Sequence, residues 1–269
     1  MMPRHHSLAQ IFGFRGRIGH FNGFTVFGAV YFDESGNDDR SGRIAVAASI
    51  ASVEGWEQFE TKWSHILGRA GNEFHAKDRS TTQYRLNCLL PVLMELCGVV
   101  TLCITLDRQE YRTLTSADDR SRLGNVAGFA GFLCIGRMAQ YLRDEKLGDI
   151  GYYVEQGGPG FDKMMEFLGM VYRLDEARTN WHLADYGPVD RRIHLPVHAS
   201  DLIAHETITN RDKSEPLKIA GNQACIIDLG AEYVQSAVEI HRTLWKRYRR
   251  ESERKRHTRK LSRKSGKLK

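Results

Sequence analysis

The feature that most constrains the fold is an alternation of apolar, strand-like runs with segments of helical periodicity. Thr25 to Asp33 (TVFGAVYFD) and Arg43 to Ala51 (RIAVAASIA) are rich in β-branched, aromatic and small apolar residues, and a polar stretch separates them. This arrangement predicts a β-hairpin. The apolar spacing that follows predicts helices at Val53 to Gly68 and at Thr82 to Cys97.

The same alternation continues through the rest of the chain. It predicts further strands at Gly98 to Leu106, Ile150 to Glu155 and Asn180 to Tyr186, and further helices at Asn125 to Glu145, Phe161 to Tyr172, Pro196 to Thr209 and from Leu229 onward. Five strands interleaved with helices indicate an α/β fold.

Charge is distributed unevenly along the chain. Lys246 to Lys269 contain thirteen Lys and Arg against two Glu, a net charge of +11, while the other 245 residues carry 26 basic and 31 acidic residues, a net charge of −5. The sequence thus predicts a loose leader at residues 1–24, a single domain at residues 25–245 and a basic helical arm at residues 246–269.

A basic arm on an acidic body is typical of a chain that contacts a polyphosphate. After Tyr248 the next large apolar residues are Leu261 and Leu268, so the arm lacks the apolar face that a membrane-surface helix buries. We therefore expect a nucleic acid as partner, RNA or DNA, and no membrane; a solvated helix end is the alternative. The residues predicted to contact it are Lys246, Arg247, Arg249, Arg250, Arg254, Lys255, Arg256, Arg259 and Lys260.

The cysteines predict the compartment. There are five, an odd number, without a CxxC pair, and they lie in apolar runs such as TLCIT and FLCIG. We interpret them as reduced core residues, which favours a cytoplasmic protein and excludes a cysteine-based zinc framework. No apolar stretch is long enough for a membrane span.

Acidic residues stand where strand-like runs end. Asp33 closes the first strand, and Glu155 closes another before the glycine-rich loop Gln156 to Gly160. Ligands in open α/β sheets tend to bind at such strand ends. Asp33 and its neighbour Glu34 point to opposite faces unless the strand ends there, so we expect Asp33 to be the chemical residue. The alternative is that both acids only open a turn.

A third acid lies in a helical segment. His198, Asp201 and His205 fall at i, i+3 and i+7 and share one face. Together with Asp33 and Glu155, Asp201 predicts a site for Mg²⁺ or Mn²⁺, because converging buried carboxylates require a cation and hard oxygen ligands suit these ions. The two histidines make Zn²⁺ the weaker alternative.

Four motifs carry a resemblance to a known family: YFDESG, EFHAKD at residues 73–78, YYVE and VHASDLIA. Together they resemble the domain-of-unknown-function family numbered 3800, which is widespread in bacteria and phages. The resemblance spans Tyr31 to Glu206. It implies an RNase H-like fold, that is, a mixed five-stranded sheet flanked by helices.

The resemblance also implies roles for individual residues. Asp33 and Asp201 match the acidic centre of the family, Glu155 stands at the intermediate strand-end acid, where aspartate is frequent, and His75 lies in a segment that usually carries a polar residue near the site. His198 stands where the family commonly has glutamine. The helices between the second and third strands depart from a minimal RNase H arrangement.

We therefore hypothesise a metal-dependent nuclease in which Asp33, Glu155 and Asp201 hold one or two divalent ions. His75 and Lys77 could contact the phosphate, or His75 could move a proton; a histidine satisfied within the core is the competing interpretation. Two rivals remain: a non-catalytic nucleic-acid-binding protein that keeps the fold, and a zinc hydrolase built on His198, Asp201 and His205.

Overall fold

The computed structural model describes residues 19–21, 24–36, 42–70, 74–78, 80–209, 224–228 and 231–265. Its described residues form one mixed sheet of seven strands. The strands are β1 (Gly19–Phe21), β2 (Phe24–Ser35), β3 (Arg43–Ser52), β4 (Val100–Asp107), β5 (Asp149–Glu155), β6 (Leu183–Val189) and β7 (Ala224–Asp228).

Nine described helices surround this sheet. They are α1 (Val53–Ala70), α2 (Thr81–Leu96), α3 (Arg108–Leu114), α4 (Ala117–Leu123), α5 (Val126–Asp144), α6 (Phe161–Tyr172), α7 (Asp175–Asn180), α8 (Val197–Thr209) and α9 (Ala231–Ser265). The predicted α/β class is therefore confirmed.

The sheet has the strand order β6-β5-β2-β3-β4-β7, and β1 pairs with the start of β2. The hairpin partners β2 and β3 are antiparallel, as are β3 and β4, whereas β5 and β6 join in parallel with β2 on its other side. Strands β2 to β6 form the predicted five-stranded mixed sheet, and β1 and β7 extend it. Because β2, β5 and β6 are parallel, their carboxyl ends meet at one edge.

The two faces of the sheet carry different helices. Val30 and Phe32 point towards a core formed with α5, α6 and α9, whereas Ala29 and Tyr31 pack against the core of α1, α2 and α8. This alternation follows from the period of two in a strand. Each large apolar side chain that is fully buried in these cores contributes about 2–3 kcal/mol.

The last helix, α9, joins the body to the basic arm. Val234 and His241 are buried in the core, and Arg242 pairs with Asp119 at 2.6 Å. Further along, Tyr248 accepts a hydrogen bond of 2.7 Å from Arg173, just past the end of α6. The helix then continues as the arm, so the prediction that the final helix runs into the arm is confirmed. Its 35 residues extend about 52 Å.

Several boundaries differ from the sequence predictions. The fifth predicted strand was placed at Asn180 to Tyr186, but β6 begins and ends three residues later, because Asn180 completes the short helix α7. Of the predicted leader at residues 1–24, Gly19–Phe21 and Phe24 belong to strands, and the other residues lie outside the described residues. The short polar helices α3, α4 and α7 were not predicted because none carries an extended apolar period, and β7 was not predicted because it has only five residues.

Two further features concern the cysteines and the membrane. Cys97, Cys103 and Cys134 are buried thiols, but Cys88 is exposed on α2, so its assignment to the core was wrong. Cys225 lies where only the backbone is described. Among the described residues, no helix is both long enough and apolar enough to cross a membrane.

Candidate active site

Asp33 and Glu155 stand side by side at the carboxyl ends of two parallel strands. The register pairs Tyr31 with Tyr153 and Phe32 with Val154, and the two acids are the next residues on β2 and β5. By alternation they share the face of Tyr31 and Tyr153, which is the face that α8 covers. Both side chains are buried. The strand ends therefore bring together two of the predicted acids.

Helix α8 supplies the third acid, Asp201, and a chain of hydroxyl groups holds this helix against the sheet. Ser200 donates a hydrogen bond of 2.7 Å to the carbonyl of Tyr31 and lies 2.9 Å from the hydroxyl of Ser49, which in turn lies 2.8 Å from that of Thr101. These groups are fully buried, so their hydrogen bonds resist exchange with water. Ser200 therefore fixes the position of the next residue, Asp201.

We expect the substitution Ser200→Ala to lower the free energy of unfolding by about 1–3 kcal/mol, because it removes the hydrogen bonds that tie α8 to Tyr31 and Ser49. Urea denaturation measures this change. Ser64→Ala is the control, since its hydroxyl bonds to a backbone carbonyl on the exposed surface of α1. Equal effects of the two substitutions would contradict the role of Ser200.

Arg191 lies among all three acids, although no motif in the sequence marked it. Its guanidinium donates hydrogen bonds to Asp33 Oδ2 at 3.4 Å and to Asp201 Oδ2 at 3.3 Å, and it forms a bidentate pair with Glu155. Two oxygens so close to one guanidinium are less than about 10 Å apart, so distance alone does not prevent the acids from sharing one or two ions.

The three carboxyl groups differ in acidity. Burial raises the pKa of Asp33 well above its usual range, and the neighbouring Asp201 and Glu155 raise it further. Burial also opposes ionisation of Asp201, but hydrogen bonds from His75 and Ala76 and the charge of Arg191 outweigh it and lower its pKa. Neighbouring carboxyls with pKa values driven in opposite directions are typical of catalytic sites.

Glu34 enters the same cavity from the other face of the sheet. Because β2 ends at Ser35, both Asp33 and Glu34 reach the cavity, contrary to the expectation for a continuing strand. The Glu34 carboxylate accepts a hydrogen bond of 3.4 Å from Gly160 and lies where a side chain at Gly158 would project. Burial raises its pKa to about 7.

His75 and Lys77 lie at the rim of the cavity. The Nδ1 atom of His75 is 3.4 Å from Asp201 Oδ2 and 3.3 Å from Arg191 Nη1. It can donate to the carboxylate or accept from the guanidinium, depending on its tautomer. His75 is half-exposed and Lys77 is exposed, and both line a cavity of about 870 Å³ together with the acids and Arg191.

His198 and His205 lie in different environments. His198 is buried between Phe74 and Trp63, and its Nδ1 accepts a hydrogen bond of 2.9 Å from the Trp63 indole. Burial lowers its pKa to about 4, so it is neutral near pH 7. His205 lines the cavity, and its Nε2 lies 3.4 Å from the Thr209 hydroxyl. The three residues predicted to share one helical face therefore do not share one cavity.

The donor atoms suit a hard divalent cation, since three carboxylates converge and together exceed the charge of Arg191. Among the described residues, however, no group of three or more His, Cys, Asp or Glu side chains has the arrangement of a metal site. The Arg191 guanidinium lies between the carboxylates that would hold such an ion.

Comparison with known proteins adds no relative. No protein-family model matches the chain, and the search of curated proteins found no match. The resemblance to the family numbered 3800 therefore depends on the four short motifs alone.

Proposed function

We propose that the chain is a divalent-metal-dependent nuclease of RNase H-like fold that hydrolyses phosphodiester bonds of RNA or DNA. The observation that supports this most is the excess of buried negative charge: Asp33, Glu155 and Asp201 surround a single guanidinium, and Glu34 enters the same cavity. Buried, unneutralised carboxylates cost several kcal/mol each, so protons or a further cation must balance them.

Asp33, Glu155 and Asp201 would hold Mg²⁺ or Mn²⁺. Such an ion would supply Lewis-acid polarisation of the phosphate and a lowered pKa for a nearby water. Glu34 stands on the opposite face of β2, beneath the glycine loop, and adds negative charge rather than a position among these three acids.

The chain's own residues would bind the substrate and move a proton. Lys77 at the rim of the cavity would attract a phosphate. His75 would hold or release a proton at Nε2, while Asp201 orients the ring through Nδ1. The cavity is large enough for a nucleotide and open to solvent at Lys77.

The geometry favours this proposal over its two rivals. A non-catalytic protein of the same fold would have no reason to bring three acids together and bury them. The zinc alternative requires His198, whose ring lies outside the cavity that Asp201 and His205 line. The antiparallel β2-β3-β4 unit with parallel β5 and β6 supports the RNase H-like assignment, and the buried cysteine thiols support a cytoplasmic location.

The basic arm would hold the nucleic acid at a distance from the site. Helix α9 runs in the same direction as α6, since His241 packs on Phe167 and Tyr248 reaches Arg173. The acids lie beyond the start of α6 and the arm leaves at its end, about 18 Å away. In a duplex that distance is about five base pairs.

Two grooves beside the arm, of about 730 and 500 Å³, are lined by residues that the sequence predicted for this contact: Arg247, Arg250, Arg254, Lys255 and Arg256. Arg259 and Lys260 belong to the same helix. Lys246 and Arg249 are exposed and immediately precede Arg247 and Arg250. A helix with cations on several sides suits sequence-independent contact with phosphates.

Metal dependence tests the proposed activity. Labelled RNA, DNA and hybrid duplexes are incubated with the purified chain in Mg²⁺, in Mn²⁺ and in chelator. We expect cleavage of at least one substrate with either ion and none in chelator. Undiminished cleavage in chelator, or no cleavage of any substrate, would count against the proposal.

Salt dependence tests the arm. We expect the fourfold substitution of Arg249, Arg250, Arg254 and Arg256 by Gln to weaken nucleic-acid binding at least tenfold and to reduce the slope of log affinity against log salt by about 2–4, because fewer counterions are released. Fluorescence anisotropy at several salt concentrations measures both quantities.

The matched control removes four exposed cations elsewhere, by substituting Lys62, Arg69, Arg85 and Arg112 with Gln. The control variant changes the net charge by the same amount. If the arm has a specific role, the salt slope of the control variant should stay near that of the wild type. Equal slopes for the two variants would contradict that role.

A further inference from the structure

We infer that Arg191 is a displaceable counter-cation: its guanidinium holds the three carboxylates together in the metal-free protein, leaves them when a divalent ion binds, and then contacts the phosphodiester. This inference rests on the proposed function and adds to it a regulatory and substrate-binding role for one residue. It explains how a site can keep three buried acids close together before any ion arrives.

The guanidinium and a divalent ion would compete for the same oxygen atoms. Asp201 Oδ2 already receives the backbone N–H of Ala76 at 3.0 Å, lies 3.4 Å from His75 Nδ1, and receives Arg191 Nη1 at 3.3 Å. A carboxylate oxygen has about two lone-pair positions, and three groups already crowd this atom. Both oxygens of Glu155 are paired with Arg191 as well. An ion bound to these atoms must therefore displace Arg191.

The backbone around Arg191 allows the side chain to move without unfolding the turn. Asp190 holds the turn independently: its carboxylate accepts from the backbone and side chain of Arg192, and its carbonyl accepts from the backbone N–H of Ile193 and His194. None of these bonds involves the Arg191 side chain. Rotation about its side-chain bonds is sufficient to release the guanidinium.

The released guanidinium would enter a space that suits a phosphate. Arg191 lines the cavity of about 870 Å³, and Lys77 lines it too. The planar fork of arginine matches the oxygens of a phosphate in the same bidentate manner in which it now holds Glu155. The ion would reverse the local charge of the acids, so an anion could approach this edge of the sheet.

Calorimetric titration of the full chain with Mg²⁺ provides the first test. We expect Arg191→Met to bind Mg²⁺ at least tenfold more tightly than the wild type, and Arg191→Lys to lie between them, because lysine competes at a single point. Arg85→Met, which removes an exposed cation from α2, should leave the affinity unchanged. An affinity that is unchanged or lower in Arg191→Met overturns the inference.

Nuclear magnetic resonance of ¹⁵N-arginine-labelled protein separates displacement from simple charge removal. The Nε–H signal of Arg191, assigned by its loss in Arg191→Lys, should be protected from solvent exchange without Mg²⁺ and lose that protection when Mg²⁺ saturates the site. If Mg²⁺ binds while the signal stays protected, Arg191 is not displaced and the inference fails, although the proposed nuclease stands. If no variant binds Mg²⁺ or Mn²⁺, the metal proposal fails too. The signal test remains decisive if Arg191→Met does not fold.

Discussion

The substitution Asp33→Asn should reduce nucleic-acid cleavage by roughly a thousandfold or more while leaving the fold intact. Asparagine keeps the shape of the side chain and can still accept the hydrogen bond of 2.7 Å from the Glu34 backbone N–H. It removes the negative charge that faces Glu155 and Asp201. A loss of activity without a loss of structure would therefore identify the charge of Asp33 as the property that matters.

The same substitution has an opposite consequence for stability. Since burial and two neighbouring acids disfavour the ionised form of Asp33, the neutral asparagine should leave the metal-free protein at least as stable as the wild type. Thermal unfolding in chelator measures this. A residue that only supports the fold would show the reverse pattern, with stability falling and activity following it.

Asp78→Asn is the matched control for cleavage. Asp78 lines the same cavity, but it is exposed and its carboxylate accepts only from the backbone of Ser80 among the contacts described. Its substitution makes the same chemical change at the rim, and we expect activity within about threefold of the wild type. Equal losses in the two variants would indicate a general electrostatic effect, and activity that survives Asp33→Asn would contradict the proposed site.

The positions of the acids could be predicted from sequence because strand ends are marked locally. The apolar runs before Asp33 and Glu155 are long enough to define buried strands, and the polar or glycine-rich residues after them define where each strand stops. The adjacency of the two strands is not a local property. It follows from the parallel register of β2 and β5, which no spacing in the sequence specifies.

Arg191 could not be found in the same way, although a charge argument predicted that something positive must lie among the acids. That prediction assigned the positive charge to a metal ion, and the predicted strand before Arg191 ends at Tyr186. The strand β6 in fact continues to Val189, so Arg191 follows the third carboxyl end at the same edge as Asp33 and Glu155. Arg191 stands between two charged residues, Asp190 and Arg192, so the local sequence did not indicate that its side chain is largely buried.

The histidines show the limit of reasoning from a helical face. His198, Asp201 and His205 do lie on α8 as predicted, but the packing of α1 decides which of them reaches the cavity. Trp63 projects from α1 to hydrogen-bond His198, and this places the ring in the core. Long-range contacts of this kind depend on how two helices pack against each other. The periodicity of either helix does not predict that packing.

Glu34→Gln should change the pH dependence of stability by about 3 kcal/mol. Burial and the charge of Glu155 raise the pKa of Glu34 from 4.5 to about 7, although the Gly160 N–H and Arg191 oppose this. Between these two pH values the folded chain holds a proton that the unfolded chain has lost, so the free energy of unfolding falls as pH rises through this window and levels off above it. Glutamine cannot ionise and still accepts the Gly160 hydrogen bond.

The free energy of unfolding is therefore measured by urea denaturation in chelator at intervals between pH 4 and pH 8, for the wild type, Glu34→Gln and the exposed control Glu57→Gln. Relative to the wild type, Glu34→Gln should gain stability progressively from about pH 4.5 to about pH 7 and keep that gain above it. Glu57→Gln should show no such trend. A stability difference between Glu34→Gln and the wild type that is constant at every pH would contradict this prediction. It would mean that ionisation of Glu34 does not destabilise this edge of the sheet. The excess negative charge of the cavity would then belong to Asp33, Glu155 and Asp201 alone.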